Sequence, residues 1–407
     1  YPAIHMSVAS MTVPEGYMLP FGKRAKEIVG DRGKVFIVGR ILELAMVEQA
    51  LANGDADMVA MTRAQLTDPF LVQKFREGRE RDVIRCVGAN ECVAQYPESP
   101  VICVMNPTVG RERQWGQGTL TTVPAAERKS VTVVGGGPAG MKLGATAARR
   151  GHEVKLLERD DELGGHLNLL KQLPTRGGWQ TAIDNLERAL EAAGAAVQLG
   201  VEADATSLLA DAPDAVVCAT GASWDVTGFS PYRPDRDGTP GAELGHVIDV
   251  DTALERALAD PSSLGNAVVI LDESGTYLPI GLAELLADGG VDVELATPHA
   301  LLAEDVLRSY EAAHAFPRIV EKGVKLSPQQ TIDRIEVGAA QLGSAWGGET
   351  REVAADTVVL ALTRSPNDGL YDEIAATLPE AHRIGDALSP RRLASVIYDG
   401  EKLGREL

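Results

Sequence analysis

Apolar and polar positions along the chain follow two rhythms, and their alternation predicts a repeated strand–helix unit. Residues 34–38 (KVFIV) make a short apolar run of strand length that ends in Gly39-Arg40. Residues 42–52 carry apolar positions at helical spacing and stop at Asn53-Gly54, a plausible cap. A second run, 57–61 (DMVAM), ends in Thr62-Arg63. Two such strands joined by one helix suit a β/α barrel or an open α/β sheet. From 86 to 128 the periodicity fades while Pro, Gly and Cys accumulate, which predicts an irregular metal-binding or linker segment. The unit resumes with a strand at 130–134, GGGPAG at 135–140, a helix from about 138 to 150 and a strand at 152–157. Another strand is predicted at 215–219, then a surface loop rich in Pro, Gly and Asp at 223–245. A further strand, helix and strand read at 267–271, 281–288 and 291–296, followed by a strand at 357–362 and a helix beginning near Pro390. The recurrence near 130 and near 267 predicts two related nucleotide-type folds.

The strongest chemical signal is Gly135-x-Gly137-x-x-Gly140, placed directly after a strand and opening a helix. In such a turn the first glycine bends the chain and the second lets a pyrophosphate reach the backbone. The third lets helix and strand pack closely, and the helix N-terminus adds partial positive charge. Glu158 closes the next strand, where a carboxylate binds ribose hydroxyls. Together these predict a dinucleotide or ADP site. After the strand at 267–271 the equivalent loop reads Asp272-Glu273-Ser274-Gly275-Thr276-Tyr277, with carboxylates where glycines belong. A carboxylate about 5 Å from a phosphate costs roughly 3 kcal/mol at an effective dielectric near 20, so this loop predicts a degenerate structural domain.

Composition narrows the partners. The 407 residues suggest two to four domains, and 58 acidic against 39 basic side chains give a net charge of −19. That charge argues against nucleic acid, and no apolar run is long enough to cross a bilayer. The chain opens on Tyr1 without a leader pattern, which, in a truncated or processed start, decides nothing about targeting. Cys86, Cys92 and Cys103 lie close in sequence and Cys218 lies far away, a poor disulfide framework. The clustered three could hold an iron–sulfur cluster or zinc in a reducing compartment such as the cytoplasm, and Cys218 reads as a core residue. The seven histidines show no metal-binding spacing. Gly39-Arg40 and Thr62-Arg63 could grip a phosphate, although an arginine at a strand end more often makes a surface ion pair.

The order of motifs carries a resemblance. GRI, MTRAQLTDPF, RCVGANEC with CVMNP, VVGGGPAG with LLERDDELGGHLN, VVCATGA and RIGDALSPRRL follow one another along essentially the whole chain. This series resembles the trimethylamine dehydrogenase and 2,4-dienoyl-CoA reductase family of old-yellow-enzyme-like flavoproteins. The resemblance implies the C-terminal part of a β/α (TIM) barrel followed by two Rossmann-like, glutathione-reductase-type nucleotide-binding domains. The implied organisation is 1–85, the end of an FMN-binding barrel; 86–128, the cluster segment and linker; 129–245, the FAD/ADP domain; 246–362, the degenerate second nucleotide fold; and 363–407, the return to the FAD/ADP domain.

By that resemblance Gly39, Arg40, Thr62 and Arg63 match loops that hold the FMN phosphate. Gly135, Gly137, Gly140 and Glu158 match the FAD or ADP site, with Gly165, Thr220, Gly385 and Asp386 in the matching flanking runs. Cys86, Cys92 and Cys103 match iron–sulfur ligands, and Ala89 stands where the fourth cysteine is expected. The cluster is therefore a three-iron form, a four-iron form with another ligand, or absent. About 250 residues of a barrel of this size would precede the chain, so no catalytic residue can be assigned within it. Two strands cannot close a barrel, and a separate subunit or preceding segment is expected to complete it. The implied activity is oxidation of a small amine at FMN, with electrons passing through the cluster to an external acceptor such as an electron-transfer flavoprotein. The alternatives are an NAD(P)H-dependent enoate or dienoyl-CoA reductase and a non-catalytic electron-transfer subunit. An oligomer is expected.

Overall fold

Each strand predicted above forms, with ends moved by one or two residues. The structure, a computed structural model, describes residues 4–94, 100–378 and 380–407. The chain divides into two units, one of residues 1–168, 178–221 and 366–407, the other of 169–177 and 222–365. Residues 222–245, expected within the adenine-nucleotide domain, therefore group with the second unit, as do 169–177.

In the first unit, strands Phe36–Val38 and Met58–Ala60 pair in parallel, with Phe36 opposite Met58. The helix Leu44–Ala52 connects them, and a small core of Ile37, Ile41, Val47, Met61 and Leu71 lies beneath. Ile37 points inward while Phe36 and Val38 stay exposed, as the period of two along a strand requires. The main element is a five-stranded parallel sheet in the order Ala381–Arg383, Ala215–Cys218, Ser130–Val134, Glu153–Leu157, Ala196–Gln198. Ala215, Val216, Val217 and Cys218 are all buried, which is why that strand reads as a continuous apolar run.

The helix Pro138–Arg149 follows the central strand and is gripped from two sides by small residues. Gly144 admits Leu190 of the helix Gly178–Ala193, since a Cβ there would lie 2.9 Å from its Cδ1. Gly400 of the C-terminal helix Leu393–Glu406 backs onto the Ala139 carbonyl, where a Cβ would come within 2.7 Å. Between these helices Glu401, 3% exposed, meets Lys142 at 2.7 Å and Arg405 at 2.6 Å.

The second unit has a parallel sheet in the order Lys325–Pro328, Asp292–Thr297, Ala267–Asp272, Thr357–Ala361, Val247–Asp249. One face packs on helices, including Val250–Ala259 and Leu278–Asp288. The other packs on an antiparallel sheet of Gln330–Glu336, Gly338–Ser344 and Thr350–Ala355, which the sequence reading did not assign. Among the described residues no helix is long and apolar enough to cross a membrane.

Candidate cofactor sites

The glycine turn is built by contacts that exclude side chains. Gly135 has φ +108°, and a Cβ on it would lie 2.3 Å from the Ala219 carbonyl oxygen. At Gly140 a Cβ would lie 2.0 Å from the Gly135 oxygen, so only glycine lets the helix start this close to the strand. Around Gly137, in contrast, a Cβ would meet nothing within 4 Å, which leaves the middle of the turn open. Pro138 occupies the first turn and no side chain caps this helix, so its leading N–H groups face the opening with the positive end of the dipole.

Glu158 is 6% exposed and ties the rim together. Its Oε2 accepts from Gly136 N at 2.5 Å and its Oε1 from Asp160 N at 2.9 Å. Each carboxylate oxygen keeps a further lone pair, which suits it to accept from a sugar hydroxyl. Gly165, at φ +52°, lies against Gly137, its Cβ position 3.1 Å from the Gly137 Cα. Gly385, at φ +62°, comes against the helix start, where a Cβ would lie 2.8 Å from Ala139 Cβ. Asp386 follows it and accepts from Arg391 N at 3.0 Å. Thr220 N lies 3.4 Å from the Cβ position of Gly135, and the Thr220 hydroxyl donates to the Asn367 carbonyl at 2.5 Å. Seven of the eight residues named for the adenine nucleotide thus adjoin the glycine turn, with Asp386 next in sequence after Gly385, although the Thr220 proton is already committed to the chain.

The four residues named for the FMN phosphate stand at the ends of the short parallel pair. Thr62 is exposed and begins the helix Thr62–Thr67, while Gly39 is buried beside Met18. Both arginines turn toward protein groups. The Arg40 guanidinium, on a residue at φ +48°, donates to the Val13 carbonyl. Arg63 donates at 2.6 Å to the Ala9 carbonyl and at 2.6 Å to Asn90 Oδ1. Arg63 thus has a second role that its place at a strand end does not signal, which is to brace the cysteine segment.

Cys86, Cys92 and Cys103 line one pocket with Arg63, Thr67, Ala89 and Glu91. The loop between the first two cysteines turns through Gly88 at φ +75° and Asn90 at φ +58°. Asn90, 3% exposed, holds that conformation by donating to the Val8 carbonyl at 2.7 Å and accepting from Arg63. Burial pushes the Cys92 thiol up to about 11; the neighbouring Cys86 adds to this and Arg63 opposes it. Burial also raises Cys103, against a Thr67 hydroxyl 3.4 Å from its sulfur. Proton loss from these thiols is unfavourable unless iron or another soft cation replaces the proton.

A single zinc ion needs thiolates about 3.8 Å apart, from Zn–S bonds near 2.3 Å. Among the described residues no three His, Cys, Asp or Glu side chains converge to hold one ion. The three thiols line one pocket, with Ala89 on the same wall, and thiolates are the ligands an iron–sulfur cluster requires. Cys218, fully buried in its strand, is a core residue.

The loop Asp272–Tyr277 of the second unit consumes its own donors. Glu273 N and Ser274 N both donate to the Ala361 carbonyl, Gly275 N to Asp272 Oδ1 at 3.0 Å, and Thr276 N to Ser274 Oγ at 3.3 Å. Burial raises Asp272 to about 6, opposed by hydrogen bonds from Ser274 and Gly275. Burial also raises Glu273, which accepts from Ser230 at 2.6 Å. A pyrophosphate would meet two carboxylates and backbone N–H groups that are already paired.

The sequence signature of the pyridine nucleotide-disulphide oxidoreductases matches residues 129–385. Dimethylamine dehydrogenase of Hyphomicrobium sp. (strain x) is 31% identical over 91% of this chain and 54% of its own length. A probable N-methylproline demethylase of Rhizobium meliloti is 30% identical over 91% of this chain and 57% of its own length. The solved structure of 6-hydroxypseudooxynicotine amine oxidase from Pseudomonas geniculata N1 superposes with a TM-score of 0.90 at 28% identity, covering 98% of this chain and 60% of that one. The chain therefore spans little more than half the length of these relatives. With its glycine turn, the buried Glu158 beside it and a family match over more than half of its length, the chain belongs to the pyridine nucleotide-disulphide oxidoreductase family.

Proposed function

We propose that this chain is the C-terminal, electron-transferring portion of a flavin-dependent amine dehydrogenase or N-demethylase. A small amine is oxidised at its C–N bond in the FMN barrel. A cluster held by Cys86, Cys92 and Cys103 would supply one-electron transfer toward an external carrier such as an electron-transfer flavoprotein. The flavin supplies the hydride-accepting chemistry.

The residues described here bind and position. The N–H groups at the start of the helix Pro138–Arg149 would meet the pyrophosphate of FAD or ADP, and Glu158 a ribose hydroxyl. Gly39, Arg40, Thr62 and Arg63 would border the FMN phosphate; Arg63 would also bring positive charge beside the thiols, where it opposes the rise of Cys92. Cys86, Cys92 and Cys103 would hold the cluster. The rest of the barrel, supplied by a preceding segment or a separate chain, would cover the exposed Phe36, Val38 and Met58.

One observation carries the direction of electron flow. The Asp272–Tyr277 loop has its backbone donors paired internally and two carboxylates at the strand mouth, so the second nucleotide fold is ill suited to NAD(P)H. Two of the relatives, a dimethylamine dehydrogenase and a probable N-methylproline demethylase, support the same direction. Anaerobic bleaching of the flavins in the native protein tests it. Secondary and tertiary methylamines are expected to bleach faster than NADH or NADPH; faster bleaching by a nicotinamide would overturn the reading in favour of an enoate reductase.

A further inference from the structure

We propose that the cysteine pocket holds a three-iron cluster, bound by Cys86, Cys92 and Cys103 and open at the corner beside Ala89. The inference rests on reading the pocket as an electron-transfer site and commits to one form of it. Three thiols share the pocket, which also includes Ala89. Ala89 stands three positions after Cys86 and three before Cys92, midway along the loop that carries them. A cuboidal cluster needs a lone pair at each iron corner, and a methyl group has none.

Among the described residues lining the pocket, Asn90 and Thr67 have other tasks. The carboxamide of Asn90 is engaged at both ends, by Arg63 and by the Val8 carbonyl. The Thr67 hydroxyl donates to the Arg63 carbonyl at 3.0 Å and lies beside Cys103, a corner already supplied with a thiolate. Glu91 remains as an oxygen donor on the wall, but a carboxylate is a hard ligand and iron in a sulfide cluster prefers thiolate. Among the described residues no set of three His, Cys, Asp or Glu side chains converges on a single ion. A cube lacking the iron at the Ala89 corner satisfies each of these conditions. Arg63, fixed by Ala9 and Asn90, offsets the charge of the three thiolates.

The test is metal and sulfide analysis with EPR on the native flavoprotein, purified anaerobically. Three irons and four sulfides per chain are expected. The oxidised protein should be paramagnetic, and its half-integer-spin signal should vanish on one-electron reduction. In Ala89→Cys the iron should rise to four per chain and the signal should move to the reduced form. Four irons in the unaltered protein, with a signal only on reduction, would overturn the proposal and point to Glu91, whose change to Gln should then lower the iron to three. Zinc, or no metal, would overturn it as well. The readings on the unaltered protein decide the matter even if Ala89→Cys does not fold. Amine bleaching with no iron present would sink this inference alone; a three-iron signal with no response to amines would sink the proposed activity alone.

Discussion

Replacing Glu401 by Gln isolates the charge that locks the C-terminal helix onto the nucleotide-binding helix. Burial alone would raise this carboxylate, but Lys142 and Arg405 outweigh it and hold it at about 2, against an ordinary value of 4.5. Thr146 adds a hydrogen bond at 3.1 Å. At about 1.4 kcal/mol per unit, the difference corresponds to roughly 3 kcal/mol of folding stability. Because the folded value is depressed, that stability is fully present above the ordinary value and is lost as pH falls toward 2. Roughly half of it is gone by about pH 3. Glu401→Gln keeps the shape, removes the charge and leaves Lys142 and Arg405 facing each other, so a loss of about 3 kcal/mol is expected at neutral pH. Urea unfolding followed by release of the adenine nucleotide measures it, because this helix backs the start of the helix Pro138–Arg149. The gap between parent and variant should shrink as the solution is acidified from pH 5 toward 3. A constant gap, or none at pH 7, would refute the assignment of this stability to the Glu401 charge.

Glu158→Gln should weaken adenine-nucleotide retention about 10- to 100-fold, the worth of roughly 1.5–3 kcal/mol for a hydrogen bond to a charged group; flavin content after dialysis reads it. Gly385→Val should lose the nucleotide outright, since a side chain at φ +62° would press on Ala139 from 2.8 Å; flavin content again decides, with circular dichroism to show that the fold survives. Asn90→Ala removes the pin between Arg63 and Val8 and frees a left-handed turn, at a cost of about 1–3 kcal/mol for the unsatisfied buried partners. Iron retention under a chelator should fall several-fold while flavin content stays level.

Several features that the chain displays openly are local. The strand Ser130–Val134, the turn after it and the helix Pro138–Arg149 are legible because apolar period, glycine spacing and the Pro at the helix start all act within a few residues. The helix Gly178–Ala193 was equally legible, with Ile183, Leu186 and Leu190 on one buried face, but no motif drew attention to it. The antiparallel sheet at 330–355 left a weaker trace. Its strands bury one face only, and a bulge between Ile332 and Arg334 breaks the alternation.

By sequence alone, the chain determined its α/β class, its glycine turn and the presence of three clustered cysteines with alanine at 89, because each is a statement about residue type at close spacing. Folding in three dimensions decided what those residues meet. It set Gly385 against Ala139, some 250 positions away, and turned Arg63 toward Asn90. In the second unit it spent the backbone donors of the Asp272–Tyr277 loop on Ala361. Such contacts depend on how strands are ordered in a sheet and which groups pair when water is removed. No local pattern of side chains encodes them.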